Sequence, residues 1–235
     1  RPDQQIRRDE RYTEAVRSVV AAALHLAKPS RSPITLLVTS SIPGEGKTTL
    51  AMSFAFFAAL IQRRVLLIDL SFRAPSVARA LEVSADGGIL QALQGRPPAE
   101  MIRTAAGLGF DYLPLSPNAA DPMATIAGNS IPQLLQELKQ SYDCIVIDGA
   151  PILCEAETRL VATMVDRVLL AIKWGSTPQE VAKNALDLLE RSALGEADLR
   201  QLVTAVITRV DLEKHARYRY RDFGESLARV RPRIA

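Results

Sequence analysis

The chain has 235 residues, is 48% hydrophobic and carries 29 Lys and Arg against 26 Asp and Glu, for a net charge of +3. That supports one large domain or two small ones with a real core, and it excludes a largely disordered chain. The small charge excludes a nucleic-acid footprint carried by charge alone, and two cysteines, Cys144 and Cys154, exclude a disulfide framework and suit reduced cytosolic thiols.

Residues 4–27 predict one helix, because Ile6, Ala15, Val16, Val19, Val20, Ala23, Leu24 and Leu26 recur at helical spacing. Pro29 and Pro33 end it. Residues 34–39 read as a short buried strand. The loop Pro43-Gly44-Glu45-Gly46-Lys47-Thr48-Thr49 follows, then a strongly apolar helix from about Thr48 to Ile61. Residues 65–69 form a second buried strand ending in Asp69, with short helices expected over 76–82 and 87–94. Residues 110–114 read as a weaker strand, 131–140 as a helix, and 144–148 as a strand ending in Asp148. Two more strands, 167–173 and 202–208, flank a helix over 178–193. Strands alternating with helices, each strand apolar throughout, predict an α/β fold: a mainly parallel central sheet flanked by helices on both faces. His25 and His215 stand alone and read as helix and tail residues rather than ligands.

The organisation expected is an N-terminal helix over 1–30, a nucleotide-binding domain over 31–210 and a tail over 211–235. The tail crowds Arg217, Arg219, Arg221, Arg229, Arg231 and Arg233 against only Asp222 and Glu225. It suits an anionic surface such as a membrane face, or is a solvated terminus. The longest apolar run, Leu50 to Ile61, falls short of the roughly 18 residues that cross a bilayer. The chain begins at Arg1 rather than Met, so an excerpt of a longer protein is expected, a membrane part being one thing it could lack.

The glycine loop carries the sharpest chemistry. Gly44 and Gly46 let the backbone approach phosphate oxygens, and the N–H groups opening the next helix point at the same anion. Lys47 supplies a point charge for the β- and γ-phosphates, and the Thr48 hydroxyl is placed to ligate Mg²⁺. Ser41 stands where the usual motif has a glycine. In a parallel sheet the carboxyl ends of strands line the ligand crevice, so Asp148 can hold Mg²⁺ through a water. Asp69 also ends an apolar strand, and two acids on two strand ends beside one lysine loop make a magnesium–nucleotide site for ATP or ADP. Arg73 touches phosphate or is simply solvated. Tyr218 and Tyr220 are exposed aromatics of a basic tail or phosphoryl acceptors, since ten flexible residues reach about 35 Å.

These residues together resemble the P-loop NTPases known as bacterial tyrosine kinases, which regulate capsule and exopolysaccharide polymerisation and export. The resemblance covers nearly the whole chain. Residues 40–48 look like the family's Walker A loop, residues 65–69 followed by Arg73 like its second Walker segment, and residues 142–148 followed by Pro151 like its Walker B segment. Residues 170–177 and 206–211 fall where the family has its last core strands. The resemblance implies catalytic roles for Lys47, Asp69 and Asp148, metal contacts at Thr48, Asp69 and Asp148, and nucleotide contacts at Pro43 through Thr49, Thr208 and Arg209. It implies Tyr218 and Tyr220 as acceptors for a neighbouring subunit. It further implies a cytoplasmic place at the inner face of the plasma membrane, and a transmembrane chain-length regulator, fused or separate.

The chain departs from the family pattern at several positions. Ser71 replaces the second acid of Asp-x-Asp-x-Arg, and a serine hydroxyl is a poor base near neutral pH. Glu14 and Arg17 keep two positions of the ring-forming Glu-x-x-Arg-x-x-Arg, and Val20 replaces the third, so self-association is expected to be weakened. Gly149-Ala150-Pro151 stands where two prolines are usual, and Thr208 where an asparagine faces the base. Two alternatives follow: a degenerate ATP-binding assembly module, and a partitioning or division-site ATPase. The latter class carries an extra lysine at the position of Ile42 and ranks last.

Overall fold

Strands that are apolar at every position must be covered on both faces. The structure, a computed structural model, describes residues 10–25, 32–85, 87–116, 126, 130–192, 203–212 and 214–215. Its strands are β1 (Ile34–Ser40), β2 (Val65–Leu70), β3 (Arg103–Thr104), β4 (Asp111–Leu113), β5 (Cys144–Gly149), β6 (Arg167–Lys173) and β7 (Val203–Thr208). They form one seven-stranded sheet in the order β3-β4-β2-β5-β1-β6-β7. Every neighbouring pair is parallel except β3 with β4. The helices are α1 (Glu10–His25), α2 (Lys47–Leu60), α3 (Val77–Ala80), α4 (Ile89–Leu93), α5 (Pro98–Met101), α6 (Ser130–Leu138), α7 (Ala156–Ala162) and α8 (Gln179–Ser192).

Side chains alternate across the sheet with a period of two, and both sets are buried. Leu36, Val38, Val65, Leu67, Cys144 and Val146 pack toward α1 and α2. Leu37, Leu66, Ile68, Ile145 and Ile147 pack toward α4, α6, α7 and α8. This is the α/β P-loop architecture that the sequence predicts. Helix α2 is apolar nearly all round, with Leu50 through Ala58 buried, because it lies between the sheet and α1. Burying a side chain such as Phe54 contributes about 1.5–3 kcal/mol. Cys144, in the middle of this packing, has its thiol pushed up to about 12 by burial, whereas Cys154 is exposed.

Helix α1 docks on α2 through Val16, Val20 and Ala23, all nearly fully buried. The Tyr12 hydroxyl meets Ser53 Oγ at 2.6 Å, and the Arg17 guanidinium lies 5.8 Å from the centroid of the Phe57 ring. Val20 is therefore core, which accounts physically for an apolar residue there. The predicted helix over 4–27 is seen at Glu10–His25, its other residues lying outside the described ones.

Three elements were not expected: α5, α7 and β3. Helix α5 has four residues and β3 two, too short to show a period. The start of the expected tail is also structured. The His215 N–H donates to the Asp211 carbonyl at 2.8 Å, and the His215 ring lies 5.9 Å from that of Trp174. His215 is thus packed against the end of β6 rather than standing alone. Among the described residues, no helix is long and apolar enough to cross a membrane.

Candidate nucleotide site

The topology brings three strand ends together. Strand β5 lies between β1 and β2, so the loop after β1 is next to Asp148, and Asp69 pairs with Asp148 in register. Adjacent strands are about 4.8 Å apart, which places two carboxylates side by side. The Thr39 hydroxyl donates to the Ala150 carbonyl at 2.7 Å, and the Ile152 N–H donates to the Ser40 carbonyl at 2.8 Å. These bonds hold the end of β5 against the loop.

The loop itself turns through Gly44 and Gly46, both left-handed, with φ of 84° and 89°. Gly46 is the N-cap of α2, and Lys47, Thr48 and Thr49 form its first turn. Unsatisfied N–H groups at such a helix start attract anions. Pro43, Gly44 and Thr49 are exposed. The Glu45 side chain is buried and turned inward: it accepts the Ile42 N–H at 2.8 Å, the Lys173 N–H at 3.2 Å and the Thr177 hydroxyl. Thr208 Oγ donates to the Glu45 carbonyl at 2.6 Å, fastening the loop to the end of β7. Arg209, at φ 52°, is exposed and lines an open cleft of about 660 Å³ with Lys173, Trp174, Asp211, Lys214 and His215. The cleft adjoins the glycine loop through Glu45, Lys173 and Thr208.

Beneath the loop lies a compact polar cluster. Thr48 Oγ donates to Asp148 Oδ2 at 2.7 Å, Ser76 Oγ donates to the same oxygen at 3.0 Å, and the two hydroxyls lie 2.8 Å apart. Lys47 Nζ is 3.8 Å from Asp148 Oδ1, an oxygen that is buried and accepts no hydrogen bond. Asp69 accepts the Ser71 N–H through one oxygen, at 3.0 Å, and the Ser76 and Val77 N–H groups through the other, at 2.8 and 2.9 Å. It thereby caps α3 and fixes Ser76. Tyr218 and Tyr220 lie outside the described residues.

The electrostatics favour a further cation. Burial, and then the charge of Asp148, push the Asp69 carboxyl up to about 6 against three backbone N–H bonds. Burial also raises Asp148, opposed by Lys47 and by the Thr48 and Ser76 hydroxyls. Two buried acids face one lysine, so the ionised site is short of positive charge. A buried carboxylate oxygen without a partner, beside a hydroxyl whose proton is already donated, fits a hard cation with oxygen ligands. Thr48 and Asp148 are the residues that would hold it; Asp69 beside them accepts three backbone N–H bonds and fixes Ser76 against Asp148.

Sequence reasoning missed Ser76, the inward turn of Glu45, and the buried carboxylates Glu155 and Glu157. A serine before a helical segment is an N-cap signal, which could have drawn attention to Ser76. Nothing in the sequence marks the direction of the Glu45 side chain.

No family model matches the chain. Among curated proteins it is 27% identical over 198 residues to the tyrosine-protein kinase YwqD of Bacillus subtilis, covering 84% of this chain and 81% of that one. It is 23% identical over 212 residues to the succinoglycan biosynthesis transport protein ExoP of Rhizobium meliloti, covering 88% of this chain and 26% of that one. The chain thus spans most of the first and about a quarter of the second. Among solved structures, the VpsO kinase domain superimposes with a TM-score of 0.73 at 26% identity, covering 89% of this chain and 98% of that one. The chain therefore resembles bacterial tyrosine kinases in sequence and has their P-loop fold.

Proposed function

We propose that this chain binds ATP with magnesium and transfers the γ-phosphoryl group to tyrosine hydroxyls, in regulation of exopolysaccharide polymerisation and export. The observation that carries the nucleotide part is the cluster of Lys47, Thr48, Ser76 and Asp148 beneath the glycine loop, with Asp148 Oδ1 left without a hydrogen bond. The kinase part is supported by the likeness to YwqD and the VpsO kinase domain, and the export part by the likeness to ExoP.

Phosphoryl transfer is mainly positioning and charge stabilisation. Magnesium, when bound, supplies charge neutralisation on the β- and γ-phosphates. The loop N–H groups and the start of α2 orient the phosphates, and Lys47 reaches the same oxygens. Thr48 and Asp148 would hold the cation, and Asp69 keeps Ser76 and the α3 turn in place against Asp148. The cleft beside Trp174 and Arg209 is the place for the base. Tyr218 and Tyr220 are the acceptors in this reading, and the working location is the cytoplasmic face of the plasma membrane beside a transmembrane regulator.

The test is mass spectrometry of the full chain after incubation with Mg-ATP. Phosphotyrosine at Tyr218 or Tyr220 is expected, slow in onset and absent from the Tyr218→Phe/Tyr220→Phe variant. Retained ATP binding with no phosphotyrosine under any condition would favour the ATP-dependent assembly module instead.

Assembly gives a separate expectation. An arginine can pair bidentately with a carboxylate across an interface, and a buried valine at position 20 cannot. Light scattering of the chain with Mg-ADP should find monomers or small oligomers. A stable octamer at micromolar concentration would refute this.

A further inference from the structure

The kinase reading, on which this inference rests, leaves one chemical role without a residue. A phenol ionises near pH 10, so its oxygen is a weak nucleophile until something takes the proton. The acids at the strand ends are poorly placed for that task. Asp69 has both oxygens occupied by backbone N–H groups. Asp148 Oδ2 takes two hydroxyls, and Oδ1 faces Lys47. Ser71, also buried here, brings no carboxylate.

Glu155 is different. It is the N-cap residue of α7, and its side chain makes no cap hydrogen bond. The residue is only 6% exposed, yet its carboxylate has no hydrogen bond or ion pair among the described residues. The segment that carries it is stitched to the glycine loop: the Ile152 N–H donates to the Ser40 carbonyl at 2.8 Å and the Leu153 N–H to the Ser41 carbonyl at 3.3 Å. The Glu155 N–H itself donates back to the Pro151 carbonyl at 3.1 Å. The Glu155 carboxylate oxygens are not among the buried atoms left without a partner, which are Ser41 Oγ and Asp148 Oδ1, so they meet solvent, into which a proton taken up can be released. The charged groups that face it are Arg73 from the segment between β2 and α3, Lys47 from the start of α2, and Glu157 from α7 itself. Burial holds its carboxyl above the usual range, with Arg73 and Lys47 opposing and Glu157 assisting. That is the direction that makes a carboxylate a better proton acceptor near neutral pH.

We propose that Glu155 is the proton acceptor for the attacking tyrosine. The phenol proton passes to the Glu155 carboxylate as the phenol oxygen bonds to the γ-phosphorus. The bond from that phosphorus to the β,γ-bridging oxygen breaks, its electron pair leaving on ADP. Glu155 then returns the proton to solvent. Arg73 and Lys47 are the cations whose charge reaches this carboxylate.

Initial rates of phosphotyrosine formation and ATP affinity are measured across pH for the full chain and for Glu155→Gln and Glu155→Asp. Glu155→Gln should lose about 100-fold in rate at unchanged ATP affinity, the size expected for a general base. The wild-type rate should fall at acid pH along a limb that Glu155→Gln lacks and the slower Glu155→Asp keeps. A Glu155→Gln rate equal to wild type, a persisting acid limb in that variant, or a loss of ATP affinity that matches the rate loss overturns the proposal. If Glu155→Gln does not fold, Glu155→Asp decides: at least a tenfold slower rate with ATP affinity kept supports it, and an unchanged rate overturns it. Wild type without phosphotyrosine fails earlier, at the kinase reading itself, and takes this inference with it.

Discussion

In Lys47→Met the affinity for Mg-ATP falls at least about 100-fold, roughly 2.7 kcal/mol, while the chain still melts cooperatively. The two halves of this expectation have different causes. The ammonium is the one cation that the described residues bring to Asp148, at 3.8 Å, and it opens the helix at which the phosphates would lie. Its loss removes a charge-assisted contact to phosphate that methionine cannot replace. The fold survives because Lys47 lies at the rim of the core, its side chain 13% exposed, and methionine fills a similar volume without a charge to solvate. Asp148 then rises further from the usual carboxylate range, because Lys47 was the largest influence holding it down. Calorimetry of ATP binding, with and without magnesium, checks the first half, and circular dichroism with a thermal melt checks the second. Unchanged ATP affinity in a folded Lys47→Met protein would remove the nucleotide site from this loop.

The sequence exposes this site unevenly, and the reason is physical. Strands β1, β2, β5 and β6 are buried on both faces along their middles, so each is written around an apolar run and can be read directly. The acids that end two of them are visible for the same reason, since a charge after an apolar run marks where the sheet meets solvent or ligand. The pairing of Asp69 with Asp148 is not visible, because it depends on strand order and register rather than on either run. Ser76 joins the cluster from 28 residues beyond Thr48, and Asp148 from 100 residues beyond it. Val20 shows the opposite error of emphasis: a position that matters by analogy for assembly is filled here by a side chain serving the α1–α2 packing.

Glu45 is the clearest case of a residue whose role depends on direction, and its replacement carries the second large effect. Within the glycine loop it reads as one more backbone contact to phosphate, but its carboxylate is buried and tied to three donors: the Ile42 N–H, the Lys173 N–H and the Thr177 hydroxyl. Two of these are backbone groups, which cannot turn away to find water. Glu45→Ala leaves them without an acceptor and opens a cavity, at a cost of about 3–5 kcal/mol. For a chain of this size that lowers the melting temperature by roughly 6–20 °C. Glu45→Gln separates shape from charge. Its amide has a single acceptor oxygen, so in either orientation its NH₂ group opposes one backbone N–H, that of Ile42 or that of Lys173. The expected cost is about 1–3 kcal/mol, between wild type and alanine. ATP affinity should follow the same order, because the Ile42 amide and the loop's attachment to β6 set where the phosphate-facing N–H groups lie. Thermal melts and calorimetry on the three proteins test this. A Glu45→Ala protein with wild-type melting temperature and ATP affinity would show that the buried carboxylate neither anchors the loop nor shapes the site.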